Sequence, residues 1–577
     1  MRSVLAFIFL LCIWTKLLGQ GYRTAVDTLT YSYRIGGALD SIDLLSGFNT
    51  VTYPGAGWNT RNNVPEPARF IHSPGGQLFW NNSPFKNYIH TGLPHLGVGY
   101  MFGSNAQQYV KAEFQQVFHS NVMLNIRYIK KSSNGILRNS AYNDEDVQLA
   151  LKKTGKIYSF DLRSSYESSK VEQSGGITND TLPDYYSLQF IPVNRSTSEL
   201  RTKRSRVMFD QFVDLLKDST KAGGLCFSSA LKIKNFKLEE SDTLYGIYPL
   251  INYDSLVTYD QHQWSSITGG AGLFWSKGSG SIKIVPNITY WNFQNLGRFR
   301  DTVELTLKSH VYYSVKRLGC EGNVSYNLQG AQNEWGEEFS LRYSLSGILL
   351  KLNSVVYAKL PDYYQRYAMG NNALPIDQTW TKQVGSHHAL QAQKEWRNLS
   401  LEANVSQTLL RINYWFIDSI WRNDTLTKLD FIQFGTSLGY HLKSVYTQLN
   451  YRFTKVSGME AIIPTHQLYG RIYLKGGIFK ARKMISYTGV EIGYLSAFQS
   501  LGYLPQVGAL SVVPSGKTAS QQVVLHYYGG FQIDEFKFFF RLENIHSFWS
   551  SRSIQQLNGY PVSPFQIKLG VTWDFFD

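Results

Sequence analysis

The chain has 577 residues, of which only 17% are charged while 15% are aromatic, and Lys plus Arg exceed Asp plus Glu by 57 to 42, a formal net charge of +15. Frequent Gly with scarce Pro and Met suits many strands and Gly/Asn/Ser turns better than helices, which favour Ala, Leu, Glu and Lys. The basic residues are spread along the chain, not gathered on one helix, which argues against a nucleic-acid-binding class, and no Pro-rich linker or charge block divides the sequence.

Residues 1–19 read as a secretion signal. Arg2 supplies the positive start, Val4 to Trp14 the apolar run, and Thr15 to Gln20 the approach to a cleavage site near Gly19 or Gln20. That run is too short to persist as a spanning helix, and no later window holds about eighteen uninterrupted apolar residues, which excludes an α-helical membrane protein. From Gln20 to about His95 the chain is Gly/Asn/Pro-rich with weak alternation. It is assigned, as a less regular part, to one barrel domain over 20–577, and it is short for a transporter's plug domain.

Beyond this segment apolar and polar residues alternate with period two, the mark of a strand with one face in an apolar medium. Val122, Leu124, Ile126 and Tyr128 begin the pattern, and a hairpin turns at Lys153-Thr-Gly155. The group Arg201, Lys203, Arg204 and Arg206 reads as a solvated loop, with a contact to anionic lipid headgroups as the alternative. Lys277-Gly-Ser-Gly280 reads as a hairpin turn. Val303, Leu305, Leu307, Val311, Tyr313 and Val315 alternate with Glu304, Thr306, Lys308, His310 and Ser314, before a turn at Lys316-Arg-Leu-Gly319. Leu399 to Leu409 repeats the rule, as does Ile432 to Phe453 about a turn at Lys443-Ser444. From Phe565 one parity reads Phe565, Ile567, Leu569, Val571, Trp573 and Phe575; the other reads Gln566, Lys568, Gly570, Thr572 and Asp574. Roughly ten residues with aromatic ends match a tilted strand crossing the hydrocarbon layer between two aromatic girdles. Very short turns alternate with long polar loops, such as 363–386 and 499–520. The pattern predicts an all-β fold: a single transmembrane antiparallel β-barrel of roughly 16–20 strands, with short periplasmic turns and long extracellular loops. A soluble sandwich or propeller also alternates, but it would not place Lys, Glu and Arg on the polar faces of so many strands.

The C-terminal part carries a resemblance. Met484-Ile-Ser-Tyr-Thr-Gly-Val-Glu-Ile-Gly-Tyr-Leu-Ser496 is followed by Gly502-Tyr-Leu-Pro505, Gln521-Gln-Val-Val-Leu-His-Tyr-Tyr528, Phe536-Lys-Phe-Phe-Phe-Arg-Leu-Glu-Asn-Ile545 and Gly570-Val-Thr-Trp-Asp-Phe-Phe576. This order resembles the putative porin family of Bacteroidetes-type bacteria. The Arg541-Leu-Glu-Asn-Ile545 stretch is also similar to penultimate strands of TonB-dependent receptor barrels. The resemblance implies an outer-membrane barrel of general porin type, and its motifs are structural, so no catalytic residue is carried over. Asp577 stands where an aromatic often ends such chains; Trp573, Phe575 and Phe576 are the candidate signal for the barrel-assembly machinery.

Chemistry-bearing constellations are lacking in the sequence. Adjacent His387 and His388 fall in a predicted loop and would point to opposite faces if extended, which does not suit one metal. Gly269-Gly-Ala-Gly272 is followed by no helix that could cradle phosphate. The only Cys pair of the mature chain, Cys226 and Cys320, is no disulfide framework, and Cys320 falls in phase with apolar neighbours. The expectation is therefore no enzyme, cofactor or metal site. It is a porin-like channel of the Gram-negative outer membrane for passive diffusion of small hydrophilic solutes. A non-conducting scaffold of a secretion or adhesion complex, or the barrel of an energised transporter, is the alternative. The partners expected are outer-membrane lipid and lipopolysaccharide, the barrel-assembly machinery and small hydrophilic solutes, with no nucleic acid; a homo-oligomer is compatible with such a barrel. Glu304, Lys308, Arg342, Glu402, Arg452, Gln566 and Lys568 are the candidate lumen-facing positions, and the basic excess predicts a mild anion preference unless it lies in loops facing lipopolysaccharide.

Overall fold

The computed structural model describes residues 93–576 apart from short internal stretches, of which 242–247 and 512–517 are the longest. The signal peptide with its cleavage site, segment 20–92 and Asp577 lie outside the described residues.

Strand follows strand as an antiparallel neighbour from His95–Gly103 to Gln566–Phe576, making one 22-stranded sheet. The last strand then pairs with the first, from His95↔Phe576 to Gly103↔Lys568. Closure removes both free edges, so every strand has two partners for its backbone groups, the condition for crossing lipid with strands. The fold class is the one the alternation predicts, with more strands than the roughly 16–20 expected. The 22 strands lie between His95 and Phe576, and connections such as Ser346-Gly347 are too short to interrupt an alternating stretch.

The two ends of the barrel differ. At one end the strands are joined by tight turns, including Lys316-Arg317, Ser346-Gly347, Lys443-Ser444 and Asp534-Glu535. The first residue of each adopts a left-handed φ, 46°, 49°, 50° and 48° respectively, the twist that two-residue hairpins require. At the other end lie the long connections 173–198, 241–257, 360–382, 496–521 and 544–565. The start of the first strand, His95, and the end of the last, Phe576, sit side by side at the tight-turn end.

Leu96, Val98, Tyr100 and Phe102 of the first strand and Ile567, Trp573 and Phe575 of the last are exposed on the outer face. A continuous apolar outer face on a closed sheet is a lipid-facing belt. Strands Lys221–Glu240 and Thr258–Lys277 have 20 residues each and Ile420–Leu442 has 23. A crossing needs only about 9–11, so these strands project well past the lipid.

Two local expectations change. Arg201 to Arg206 form no loop: they belong to the strand Glu199–Asp214, which pairs on both sides along its length. Pairing with flanking strands overrides the local charge density. His387 and His388 likewise lie in the strand Gln383–Glu395, on opposite faces, bonded at 2.8 Å to Thr408 Oγ1 and at 3.0 Å to Ser354 Oγ. Cys226 is buried on the inner face, Cys320 takes the outer parity, and both thiols are free.

Candidate functional site

Strand parity places all seven candidate lumen residues on the face opposite the apolar belt. Glu304 accepts Trp291 Nε1 at 2.9 Å and the Tyr363 hydroxyl at 2.6 Å, so it also anchors a long loop. Lys308 lines a lumen cavity of about 530 Å³. Glu402 and Arg452 share a second one of about 300 Å³ with the amides of Asn404, Asn450 and Gln467. Arg342 stands two strands from Glu304 and Lys308, directly opposite Lys351. Gln566 and Lys568 are fully buried neighbours on the last strand. Of the proposed assembly residues, Trp573 and Phe575 are exposed and stack at 4.7 Å between ring centroids, while Phe576 stacks on His95 at 4.8 Å.

The Arg541-Leu-Glu-Asn544 motif owes its residues to the wall. Arg541 and Glu543 share the inner parity; Arg541 bonds Glu491 at 2.6 Å and Glu543 at 2.9 Å, and Glu543 takes Lys568 at 2.7 Å. All four side chains are 0–1% exposed. Burial of this many charges is tolerated only when each is paired and hydrogen-bonded. Asn544 ends the strand at φ 55°, a region Asn tolerates, and its N–H donates to His526 Nδ1 at 3.0 Å.

Toward the long-loop end the inner face changes character. Leu200, Phe236, Leu238, Trp264, Phe293, Leu410 and Phe431 hold lumen parity yet are apolar and buried. The long loops cover them. Ile177 and Leu188, Tyr364, Ile463, Tyr503 and Val507, and Tyr560 come from different loops and join one continuous hydrophobic cluster with the strand tops. Trp421, among the largest fully buried side chains, adds its ring beside Phe416 at the Ile417–Ile420 hairpin.

These loops spring from widely separated parts of the wall and meet across the mouth. Loop 173–198 joins the fifth and sixth strands, 360–382 the thirteenth and fourteenth, and 544–565 the last two. Ile177 N–H donates to Gly559 O at 2.8 Å, and Ser551 Oγ to Asp184 at 2.9 Å, tying the first loop to the last. The Tyr364 hydroxyl, on the short helix Tyr363–Tyr367, donates to Gln506 O at 3.4 Å in loop 496–521. Gly176 is required at its position: φ is +83°, and a Cβ there would lie 2.8 Å from Gly559 O.

Two polar residues lock the assembly. The fully buried Asn371 side chain donates to Asp254 O at 2.7 Å and accepts from the N–H groups of Tyr253 and Asp254 at 3.0 and 3.1 Å, while its N–H reaches Asp260 Oδ1 at 2.8 Å. It fixes loop 360–382 to loop 241–257. Arg195, only 7% exposed, bonds the Tyr248 hydroxyl, which donates to Glu240 at 2.5 Å; the guanidinium lies 3.6 Å from that carboxylate. Burial pushes the phenols of Tyr364, Tyr503 and Tyr560 above their ordinary range, as a water-poor centre would. The arrangement is a polar lumen with a hydrophobic lid.

In sequence, residues 16–577 match the model of the family described as "Putative porin". The chain belongs to the putative porin family. No curated protein matches this family member in sequence. Its barrel is similar to the copper transporter OprC (TM-score 0.60, 8% identity, 87% of this chain and 85% of that one). It is similar as well to the siderophore receptor PirA from Acinetobacter baumannii (0.59, 10%, 85% and 81%). A third is the closed form of the ferric-catecholate import receptor Fiu from E. coli K12 (0.57, 9%, 87% and 85%). At such identities the likeness concerns the fold.

Sequence reasoning named polar positions on the inward face of this porin-family barrel and missed its lid. The signal was present: Ile136-Leu137, Leu188 and Tyr560 are large apolar residues outside the regular alternation, and loops that stay in water have little reason to carry them.

Proposed function

We propose that the protein is an outer-membrane transport barrel of a Gram-negative envelope, and that its loop lid gates the passage of small hydrophilic solutes. The observation that carries this reading is the interlocked hydrophobic centre where loops from separate parts of the wall meet over a polar lumen. Free diffusion requires a standing aqueous path. A mouth spanned by buried Tyr364, Tyr503 and Tyr560 favours passage that waits on lid movement. The number of strands supports the same reading, since 22-stranded outer-membrane barrels are those that hold a plugged lumen. The barrels similar in fold are, in their own descriptions, a copper transporter and siderophore receptors. Energised uptake is thus favoured here over a permanently open pore, while their cargo is not carried over. No catalytic, cofactor or metal role is proposed.

Planar-bilayer recording of the purified full chain tests the reading. The expected record is a quiet membrane with brief, infrequent openings, and sustained openings in a Tyr364→Ala/Tyr503→Ala variant. Steady large openings of the unaltered protein would overturn gating in favour of an open porin.

A further inference from the structure

We propose that the lumen holds a binding site for a small, multiply charged anion on the wall that carries Lys232, Lys283 and Lys308. The proposal rests on the barrel being a transport route and names the class of its solute.

The three lysines come from strands Lys221–Glu240, Gly280–Asn295 and Arg298–Val315, and all line the cavity of about 530 Å³. That is an ordinary volume for a small-molecule site. Ser228, Thr268 and Asn287 add hydroxyl and amide groups to the same surface. The lysines are not arranged for the benefit of the sheet. Lys232 stands directly opposite Arg206 on the neighbouring strand, and like charges in that relation destabilise a β-sheet. Several basic groups elsewhere on the inner wall have acidic partners: Lys111 has Glu113 at 3.2 Å, Arg127 has Asp146 at 3.8 Å and Arg163 has Asp161 at 2.8 Å. Among the described residues none of the three lysines has a carboxylate at ion-pair distance. Lys283 is instead held 4.9 Å above the Phe212 ring, which positions the ammonium without neutralising it.

Carboxylates do line the cavity. Glu338 accepts from Asn323 Nδ2 at 3.3 Å, Glu337 has outward strand parity, and Asp210 stands opposite Ser228. Against the inward pair Asp210 and Glu338 stand Lys232, Lys283, Lys308 and, at the rim, Lys359. Ser228 donates to Asn287 Oδ1 at 3.0 Å and Asn287 to Val285 O at 2.9 Å, so the excess of ammonium groups is what fits a phosphate- or carboxylate-bearing solute. Lysines rather than a rigid arginine fork suit a transport site, where the solute must bind and also leave.

Isothermal titration of inorganic pyrophosphate, and separately of citrate, into the detergent-solubilised full chain and its Tyr364→Ala/Tyr503→Ala variant tests the site and distinguishes phosphoryl from carboxylate chemistry. Saturable binding of at least one anion is expected. It should weaken about tenfold in each single Lys→Gln variant, the loss of one charge-assisted contact, and vanish in the triple variant. The triple Lys→Arg variant should retain it, and thermal unfolding of each variant verifies the fold. The proposal is overturned if neither anion binds either protein, or if the triple Gln variant binds as tightly as the parent. A parent that binds yet conducts steadily keeps this site and loses the gate; one that stays closed and binds nothing loses only the site.

Discussion

Arg195 and Arg541 are both buried cations, and they do different work. Arg195 holds two loops together through Tyr248 and Glu240 at the mouth. Arg541 joins Glu491 and Glu543 inside the wall. Removing one partner of a buried pair leaves the other charge uncompensated, at a cost of about 3–5 kcal/mol. The consequence depends on place. Arg195→Ala should loosen the lid while the barrel stays closed: limited proteolysis within 173–198 should accelerate, with an unchanged thermal midpoint of the whole protein. Arg541→Ala should do the reverse and lower that midpoint markedly in detergent, because its site lies in the strands next to the closing seam. Equal proteolysis and equal melting of the two variants would remove this division of labour.

At the scale of elements, the strands follow from parity and the lid from exceptions to it. The alternation at Gln566 to Phe575 predicts which side chains face inward, and the register places Lys568 and Gln566 there. The same reasoning misread Arg201 to Arg206, because a strand with charges on both faces has no alternation to see. Loop closure was illegible for another reason: which apolar loop residues meet depends on bringing together segments as distant as Ile177 and Gly559. The lid also has a pH signature. Its three buried phenols titrate above the ordinary value of about 10, so the closed lid keeps its full stability below that pH and loses it as pH rises further. Bilayer openings should therefore become frequent above about pH 10, and a Tyr503→Phe/Tyr560→Phe variant should delay the onset. A record unchanged into that range would show that the phenols do not hold the lid.

For the whole molecule, a closed barrel makes a path and the loops decide when it is usable. The sequence made the path legible because lipid imposes period two on every strand. It left the strand number low, since tight turns such as Ser346-Gly347 hardly interrupt the pattern, and it left the mouth unread. The central claim is that solute passes only when the lid moves, and a reversible cross-link across the mouth tests it most directly. Asp184 and Ser551 touch at 2.9 Å between loops 173–198 and 544–565. In an Asp184→Cys/Ser551→Cys protein, bilayer openings should disappear under oxidising conditions and return when the bridge is reduced. Openings of the same size and frequency in the oxidised and reduced forms would contradict a gating lid.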